Sequence, residues 1–494
     1  MEYVIGIDVG TSGVRGLLSD REARVQSTAA REYGMSTPQA GWAEQDPADW
    51  WNASVEVISE LCGKVGSSQI KGVGLTGQMH SSVFLDREYL VVRPALLWCD
   101  QRTDAEVSEI NSRVGFEKLI ELTSNRALTG FTAPKLLWLR NHEPGNYERM
   151  RYLLLAKDYI RFRLTRELAT DVSDASGMLL FDVKNRQWSD ELLSALDIDK
   201  SLLPSFYEGT EITGTVSAEA SELTGLREGT PVVAGGGDQA AGAVGNRIVR
   251  QGPVLVTIGT SGVVFASSDK PVSDPEARLH SFCHASPGLW HTMGVTLSAG
   301  GSLQWLRNTL RQLKHELDYP ELEREAGRAP AGADGLLFLP YLTGERTPVF
   351  DPYARGVFAG LNLNHGVGHL ARAVMEGVAY TLNDSARLMT ESGTMLDEIY
   401  LSGGGARSDL WSGIVANVLG LPVIRLSVDE GPAFGAAVLA LVGIKEFSTT
   451  AEATKASLSI RDEIEPDPEA MKLYRESYQR FQALYPALKE HFRG

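Results

Sequence analysis

Cysteine is scarce in this chain of 494 residues, which contains Cys62, Cys99 and Cys283 and no others. The three lie far apart and form neither a CxxC pair nor a Cys/His spacing typical of a metal site. A chain of this length buries a large core, so its fold does not depend on disulfides or on a structural metal. An odd, sparse set of thiols favours a reducing compartment, and we expect a cytoplasmic protein.

Long apolar runs are missing as well. The chain begins MEYVIGIDVG without a basic segment, and its first apolar run stops at Asp8, which argues against a signal peptide. No stretch approaches the ~18 uncharged apolar residues that a membrane-spanning helix needs. We therefore expect no association with a membrane.

Positive charge is in deficit, because 47 basic residues face 63 acidic ones and give a formal net charge of -16. No block of Lys and Arg stands out. The chain therefore lacks the basic surface that sequence-independent binding to phosphate backbones requires, and we expect no nucleic-acid partner.

Several catalytic signatures are also absent from the sequence. No G-x-x-x-x-G-K-[ST] phosphate loop occurs, and no G-x-S-x-G element stands between a strand and a helix. Gly72, Gly74 and Gly77 form a G-x-G-x-x-G pattern, but they lie inside a strand-like segment and no helix opens at the third glycine. These observations argue against a Walker-type phosphate loop, a Ser hydrolase and a dinucleotide-binding enzyme.

Glycine, by contrast, is abundant, with 50 residues, about a tenth of the chain against a usual ~7%. One glycine-rich motif occurs twice: Val9-Gly-Thr-Ser-Gly-Val14 returns 249 residues later as Ile258-Gly-Thr-Ser-Gly-Val263, again between apolar runs. Strand and helix patterns alternate elsewhere, which indicates an α/β class. The repeat predicts two halves of similar fold that each present a hairpin turn to a shared cleft. Two unrelated hairpin turns are the alternative.

The two turns have the composition of a phosphate site. Successive backbone N–H groups in a tight turn form an anion-binding nest, and Thr and Ser hydroxyls add donors. Asp8 precedes the first turn, whereas Thr257 holds the matching place in the second. Because a carboxylate beside phosphates requires a divalent cation, Asp8 is the candidate Mg²⁺ ligand. An Asp that only caps the turn is the alternative.

Two further glycine-rich segments carry candidate chemistry. Asp238 follows an apolar strand and the triple glycine of residues 235–237, a position from which it can accept the proton of a substrate hydroxyl. A helix N-cap is the structural interpretation of the same residue, and both can hold. The segment from Ser402 to Asp409 forms a second strand-to-helix turn that suits a flat adenine and ribose.

Two helices are predicted with defined ends. Asp46 is the N-cap and Pro47 the first residue of a helix that runs through about Leu61. In the last segment, apolar residues recur at 4-3-4-3 steps and predict a terminal helix that docks on the body, with a kink near Pro486. The apolar residues of this face are Tyr474, Tyr478, Phe481, Tyr485 and Leu488.

Six further segments are distinctive: Gly77-Gln-Met-His80, Gly130-Phe-Thr-Ala-Pro-Lys-Leu-Leu-Trp138, Asp171-Val-Ser-Asp-Ala-Ser-Gly177, Ala234-Gly-Gly-Gly-Asp-Gln-Ala-Ala-Gly-Ala-Val-Gly245, Leu339-Pro-Tyr-Leu-Thr-Gly-Glu-Arg-Thr-Pro348 and Gly356-Val-Phe-Ala-Gly-Leu361. Through these segments the sequence, from Gly6 to about Leu441, resembles the FGGY carbohydrate kinases, most closely their bacterial xylulokinase branch.

The resemblance implies two actin-like, ribonuclease-H-like domains, with a sugar and ATP bound in the cleft between them. It places an N-terminal sugar-binding domain over residues 1–246, a C-terminal nucleotide-binding domain over 247–450 and a helical tail over 451–494. A homodimer is among the assemblies that it allows.

Individual site residues follow by similarity. Asp238 matches the catalytic base, and Asp8 matches the carboxylate near Mg²⁺ and the transferred phosphoryl group. Positions that match contacts to the nucleotide and its phosphates are Thr11, Gly259, Thr260, Gly300, Gly301, Gly404, Gly405 and Asp409.

Met79 and His80 match the pair that lines the sugar site of xylulokinases. Gln239 is a further expected sugar contact, at a position where related kinases often carry Asn. The implied reaction transfers the γ-phosphoryl group of ATP to the terminal hydroxyl of D-xylulose and gives D-xylulose 5-phosphate. Another ketopentose or polyol, such as ribulose, an alditol or glycerol, is the alternative substrate. A non-catalytic, actin-like sensor of sugar or nucleotide is the rival class.

Overall fold

The structure is a computed structural model that describes residues 2–312, 316–427 and 431–493. Within these ranges, no helix is both long and apolar enough to cross a lipid bilayer. All three cysteines are described, and each is a free thiol.

The first sheet grows from the N-terminal hairpin. Tyr3–Val9 pairs antiparallel with Gly13–Asp20 and parallel with Ile70–Gly77. The two parallel strands are mostly buried runs of Val, Ile, Leu and Gly, as expected for strands covered on both faces. Across the sheet the strands follow the order Ile212–Thr215, Pro231–Val233, Ile70–Gly77, Tyr3–Val9, Gly13–Asp20 and Val25–Glu32, and Gly236–Gly237 also pairs with Ile70–Gly77.

The second sheet repeats this topology. Its hairpin, Gly252–Ile258 and Gly262–Ser268, is antiparallel, and Gly252–Ile258 runs parallel to Leu396–Ser402. In each sheet, two parallel strands and an antiparallel edge strand lie on one side of the hairpin. On the other side lies one antiparallel strand in the first sheet and two in the second. The expected duplicated, actin-like α/β fold is therefore confirmed. The strand order is His280–Cys283, Trp290–Thr296, Gly262–Ser268, Gly252–Ile258, Leu396–Ser402, Val423–Leu426 and Ile460–Ile464.

Shorter strands and the helices surround these sheets. Small sheets join Glu44–Gln45, Ala95–Leu96, Ser82–Leu85 and Tyr152–Leu155, and pair Phe181–Asp182 with Gln187–Trp188, Ala169–Asp171 with Ser205–Tyr207, and Leu337–Leu339 with Val357–Ala359. Helices of the N-terminal half are Pro47–Val65, Asp104–Val114, Phe116–Thr123, Thr132–His142, Pro144–Arg149, Ala156–Thr165, Val172–Ser176, Asp190–Leu196, Ala218–Thr224 and Asp238–Gly245. Later helices are Gly300–Leu310, Tyr319–Arg328, Val367–Glu391, Asp409–Leu419, Gly431–Gly443, Thr450–Ser457, Pro468–Gln482 and Leu484–Leu488. Short 3₁₀ turns span Ser67–Gln69, Lys200–Leu202, Ala333–Gly335, Gly404–Arg407 and Lys489–Arg493.

Helix Pro47–Val65 begins as the sequence predicts and runs about one turn further than expected. The Asp46 side chain accepts a hydrogen bond from the backbone N–H of Ala48 at 2.9 Å, and Pro47 occupies the first helical position. Its buried face, which includes Trp50, packs on the outer strands of the first sheet.

The terminal helix docks as predicted, but its break comes earlier than the sequence suggested. Tyr474 is buried, and its hydroxyl donates to Glu376 of the second half at 2.9 Å. Helix Pro468–Gln482 ends before Pro486, and a separate helix, Leu484–Leu488, follows. Pro486 has no N–H to donate to the Gln482 carbonyl, and in a continuous helix its ring would clash with that carbonyl. The helix therefore ends at Gln482, whereas the sequence predicted only a kink near Pro486.

One helix from the second half of the chain packs on the first sheet. Gly431–Gly443 packs on Tyr3–Val9 and Ile70–Gly77 of the first sheet. A Cβ on Gly6 would lie 2.0 Å from the Ala433 carbonyl oxygen, and one on Gly74 would lie 1.9 Å from that of Ala436. These glycines therefore set the distance between helix and sheet, since a larger residue would push backbone against backbone.

Gly74→Ala should destabilise the fold by about 1–3 kcal/mol or more, because overpacking against a rigid backbone forces the helix away from the sheet. The matched control is Gly63→Ala in helix Pro47–Val65, where a Cβ would meet nothing within 4 Å. That change should be neutral or stabilising by up to about 1 kcal/mol. Urea titration followed by far-UV circular dichroism compares the midpoints, and an unchanged midpoint for Gly74→Ala would contradict the packing argument.

Candidate active site

A cavity of about 340 Å³ lies between the two halves. It is lined by all four residues expected to contact the sugar, Met79, His80, Asp238 and Gln239. The C-terminal half contributes Ser261 of the second hairpin turn, Phe282 and Arg346. The duplicated fold thus brings groups from both halves to one ligand-sized space.

Asp238 stands where a strand ends and a helix begins. Gly236–Gly237 pairs in parallel with the end of Ile70–Gly77, and helix Asp238–Gly245 starts at the next residue. Asp238 is thus the first helical residue rather than the N-cap. Its Oδ1 accepts the backbone N–H of Gln239 at 2.7 Å. Burial raises the pKa of Asp238 to about 6, because the carboxylate is poorly solvated.

Asp8 lies on the other side of the same central strand. It pairs with Thr76 in the parallel register between Tyr3–Val9 and Ile70–Gly77. Its Oδ1 is buried and has no hydrogen-bond partner among the described residues. Burial and, next, the negative charge of Asp238 raise the pKa of Asp8 to about 7. Both carboxylates lie at the carboxyl ends of parallel strands, the edge where such sheets bind ligands.

This pair of acids suits a divalent cation. Mg²⁺ commonly takes only one or two protein carboxylates and completes its shell with water and phosphate oxygens. Across the described ranges, no group of three or more His, Cys, Asp or Glu side chains is arranged to hold a metal. The unpartnered Asp8 oxygen therefore fits Mg²⁺ that arrives with phosphate, and the surroundings do not form a closed metal centre.

His80 offers a hydrogen-bond acceptor to the cavity. Its Nδ1 lies 2.7 Å from the Gly177 carbonyl oxygen, and a carbonyl only accepts, so Nδ1 carries the proton and Nε2 keeps its lone pair. Burial and, next, the positive charge of Lys135 lower the pKa of His80 to about 3, so the ring is neutral. Met79, beside it, is buried against Gly237, where a Cβ would lie 2.7 Å from Met79 Cγ.

Lys135 supports the part of the cavity lining that His80 forms, and sequence reasoning missed this role. Its buried Nζ donates to the carbonyl oxygen of His80 at 2.8 Å and to that of Gly130 at 2.7 Å. Burial lowers the pKa of Lys135 to about 7. A lysine within the buried, largely apolar part of helix Thr132–His142 was the available signal, although the sequence does not show which carbonyls it meets.

The first hairpin turn is fixed by side chains. Thr11 Oγ1 accepts from Trp98 Nε1 at 2.9 Å and donates to Gln78 Oε1 at 3.2 Å, while Gln45 Nε2 donates to the Thr11 carbonyl oxygen at 2.7 Å. A hydroxyl has a single proton to donate, so a hydrogen bond from Thr11 to phosphate would replace the one to Gln78. Trp98 also lines the cavity and therefore links the turn to the cavity.

The second hairpin turn meets the start of a helix. The backbone N–H of Gly300 donates to the Gly259 carbonyl oxygen at 2.8 Å, and that of Gly301 to the Thr260 carbonyl oxygen at 3.0 Å. A Cβ on Gly300 would lie 2.5 Å from the Gly259 oxygen, so this contact requires glycine. These four expected nucleotide positions are thus in direct contact at the N-terminus of Gly300–Leu310.

The third glycine-rich turn packs on the same hairpin. Gly404 and Gly405 open a 3₁₀ turn after strand Leu396–Ser402. A Cβ on Gly405 would lie 2.5 Å from Cγ2 of Ile258, the residue before the hairpin turn. The expected nucleotide positions Gly404 and Gly405 therefore lie next to the second hairpin.

Asp409 differs from these glycines. It is the first residue of helix Asp409–Leu419, and its side chain is 85% exposed. Its Oδ1 pairs with Arg425 Nη1 at 2.7 Å, and Arg425 also pairs with Asp462 at 2.7 Å. One of the two Asp409 carboxylate oxygens is thus engaged with Arg425.

A buried ionic cluster, which sequence reasoning also missed, lies next to the strand end that carries Asp238. Lys157 Nζ lies 2.6 Å from Asp158, 2.8 Å from Asp171 and 3.0 Å from Asp174, and all four side chains are at most 1% exposed. The cluster reaches Gly237, where a Cβ would lie 3.0 Å from Asp174 Oδ1. The sequence signal was that Lys157 and the three aspartates lie among otherwise small or apolar residues.

Arg346 adds a positive charge to the cavity lining. Its guanidinium makes no hydrogen bond or ion pair with the residues that the structure describes, although Glu345 lies near enough to influence its charge. Burial lowers the pKa of Arg346. A guanidinium without a partner among the described residues, in a ligand-sized cavity, is a candidate ligand contact. The sequence alone does not predict this role for Arg346.

Comparison with known protein families agrees with this geometry. The model of the FGGY family of carbohydrate kinases matches with its N-terminal domain at residues 3–245 and with its C-terminal domain at residues 254–444. The chain is 41% identical to the xylulose kinase of Escherichia coli K12, over 98% of this chain and 99% of that protein. It is 39% identical to the xylulose kinase of Lactococcus lactis, over 99% of this chain and 98% of that protein.

Solved structures agree with the sequence relatives. The xylulose kinase of Rhodospirillum rubrum matches with a TM-score of 0.94 at 34% identity, over 100% of both chains. A gluconate kinase of Lactobacillus acidophilus matches with a TM-score of 0.93 at 27% identity, over 99% of this chain and 98% of that chain. The chain belongs to the FGGY family of carbohydrate kinases, which use ATP as the phosphoryl donor.

Proposed function

We propose that this kinase phosphorylates D-xylulose at its terminal hydroxyl and gives D-xylulose 5-phosphate and ADP. The observation that carries the proposal is the shared cavity, in which Asp238, Met79 and His80 of one half meet Ser261 of the glycine-rich turn of the other. Similar proteins named xylulose kinase support this sugar.

Asp238 is the proposed general base. With a pKa of about 6 it is ionised at neutral pH, yet it is more basic than an exposed aspartate. It takes the proton of the terminal sugar hydroxyl while the bond from that oxygen to the γ-phosphorus forms and the bond from the γ-phosphorus to the ADP oxygen breaks. The remaining task of the protein is to orient the two substrates and exclude water.

Met79, His80 and Gln239 are the proposed sugar contacts. Nε2 of the neutral His80 ring accepts a hydrogen bond from a sugar hydroxyl, and Met79 packs against the carbon chain. The Gln239 amide, next to the base, offers both a donor and an acceptor.

The proposed ATP site lies around the second hairpin turn. Gly259, Thr260, Gly300 and Gly301 place a turn and a helix N-terminus side by side, and the positive end of the helix dipole favours phosphate there. Gly404, Gly405 and Asp409 are the proposed nucleoside contacts. Thr11 belongs to the phosphate contacts from the other half.

Asp8 is the proposed protein ligand of Mg²⁺, because its buried Oδ1 has no partner among the described residues. When bound there with ATP, Mg²⁺ would neutralise the charge of the transferred phosphoryl group. Asp8 itself is held in place by the strand pairing with Ile70–Gly77.

The proposal includes the domain division 1–246, 247–450 and 451–494 and a cytoplasmic location, where thiols remain reduced. A homodimer is the proposed assembly, and size-exclusion chromatography with light scattering tests it.

Asp238→Asn should lower kcat by about 10²–10⁴-fold, because it removes the proton acceptor while preserving side-chain shape. Sugar affinity, measured by calorimetry, should change little. Asp190→Asn is the control, since Asp190 is 79% exposed, pairs with Lys200 and does not line the cavity. A coupled assay of ADP release measures turnover, and near-wild-type turnover of Asp238→Asn would remove the base assignment.

Sugar acids are a second candidate substrate class, and Arg346 is the observation that favours them. A planar guanidinium pairs with a carboxylate or a carbonyl oxygen through parallel N–H donors. Among the described residues, no carboxylate forms an ion pair with the Arg346 guanidinium, so the guanidinium is available to a ligand in the cavity. The similar gluconate kinase supports including this class.

A panel of D-xylulose, D-ribulose, xylitol, glycerol and D-gluconate should separate the candidates in the ADP-release assay, with the highest kcat/KM for D-xylulose. Arg346→Met should lower kcat/KM for D-xylulose by about 10–100-fold, the effect of losing a charged hydrogen bond. The control is Arg24→Met, at an exposed position outside the cavity. A preference for D-gluconate would support the second class, and ADP release that no sugar stimulates would favour the sensor.

A further inference from the structure

Ser173 links the buried ionic cluster to the backbone just before Asp238. Its hydroxyl donates to Asp171 Oδ2, and the backbone N–H of Gly237 donates to Ser173 Oγ at 3.0 Å. The backbone N–H of Ser173 also donates to Asp171 Oδ2, at 2.7 Å. Ser173 therefore bridges a buried carboxylate and the Gly236–Gly237 peptide, one residue before the proposed base.

Asp171 is itself fixed. Its Oδ1 lies 2.8 Å from Lys157 Nζ, and that ammonium group also contacts Asp158 and Asp174. A carboxylate accepts but does not donate, so the single proton of the Ser173 hydroxyl is directed to Asp171. The Ser173 oxygen is left with its lone pairs to accept the N–H of Gly237, and such buried networks have little freedom to reorient.

Gly237 has little space to move by other routes. A Cβ on Gly237 would lie 2.7 Å from Met79 Cγ and 3.0 Å from Asp174 Oδ1, and its backbone pairs with Gly77. Helix Asp238–Gly245 starts directly after it. The position of the Gly237 backbone, together with the start of this helix, therefore constrains the direction in which the Asp238 side chain leaves the backbone.

We propose that Ser173 is a positioning residue for Asp238. Its hydroxyl holds the Gly237 N–H, and so fixes the backbone that leads into Asp238 and points the carboxylate to the sugar hydroxyl. The inference rests on the proposed role of Asp238 as general base. It adds a chain of contacts from Lys157 through Asp171 and Ser173 to the Gly237 backbone.

Ser176 provides a matched control on the same short helix, Val172–Ser176. Its side chain is 1% exposed and that of Ser173 is 0% exposed, and each hydroxyl accepts a backbone N–H from another segment. Ser176 accepts from Cys283, however, and donates to the Val172 carbonyl, with no link to Gly237. A purely structural role for Ser173 predicts that the two alanine variants behave alike.

The test compares Ser173→Ala, Ser173→Thr and Ser176→Ala with the wild-type chain. Ser173→Ala should lower kcat by about 10–100-fold with little change in the KM for sugar, since a small misplacement of a reacting group has effects of this size. Ser173→Thr retains the hydroxyl and should restore most of kcat. Ser176→Ala should keep kcat near the wild-type value even where its unfolding midpoint falls. Should Ser173→Ala not fold, Ser173→Cys takes its place as a side chain of similar size with weaker hydrogen bonds.

Hydrogen–deuterium exchange of the backbone around residues 235–240, followed by mass spectrometry, tests the contact without relying on activity. The Gly237 amide should exchange faster in Ser173→Ala than in Ser173→Thr, Ser176→Ala or the wild type. Unchanged exchange in Ser173→Ala, or equal losses of kcat in the two alanine variants, would overturn the positioning role. Failure of the wild-type chain to release ADP with any sugar would instead overturn the proposed function, while exchange would still report on the Ser173 contact.

Discussion

Two buried carboxylates, one on each side of the end of a central strand, constrain the rest of this site. Asp8 pairs with Thr76 on one side of Ile70–Gly77. On the other side, Gly236–Gly237 pairs with the same strand, and Asp238 follows directly in sequence. Burial raises the pKa of both carboxylates, and the negative charge of Asp238 raises that of Asp8 further. A divalent cation at Asp8 and a sugar hydroxyl that donates a hydrogen bond to Asp238 would compensate for this arrangement.

Glycine makes the arrangement possible by removing side chains where backbones meet. Gly6 and Gly74 allow helix Gly431–Gly443 to rest on the first sheet, and Gly300 allows the helix of the second half to touch the hairpin turn. In each case a Cβ would lie 2.5 Å or less from a backbone oxygen. The glycine content of the chain therefore reflects close packing between elements as well as the loops that were expected to hold ATP.

Local patterns predicted much of the fold. The repeated hairpin turn, the Asp46 cap and the apolar face of the terminal helix depend on residues near one another in sequence, and all are found. The repeat also predicted the shared topology of the two sheets. In contrast, the contact of Lys157 with Asp171 and the link from Ser173 to Gly237 join segments distant in sequence. No periodicity encodes such contacts, and the same reason explains why the roles of Lys135 and Arg346 were missed.

The pH dependence of kcat/KM for D-xylulose tests most directly whether a buried aspartate at the strand ends acts as the base. As the pH falls through the raised pKa of about 6, Asp238 gains a proton and loses its ability to accept another. Asp8, with a pKa of about 7, loses its charge over a neighbouring range. The account predicts that kcat/KM falls with an acid limb between about 6 and 7. An acid limb near the ~3.9 of an exposed aspartate would contradict it.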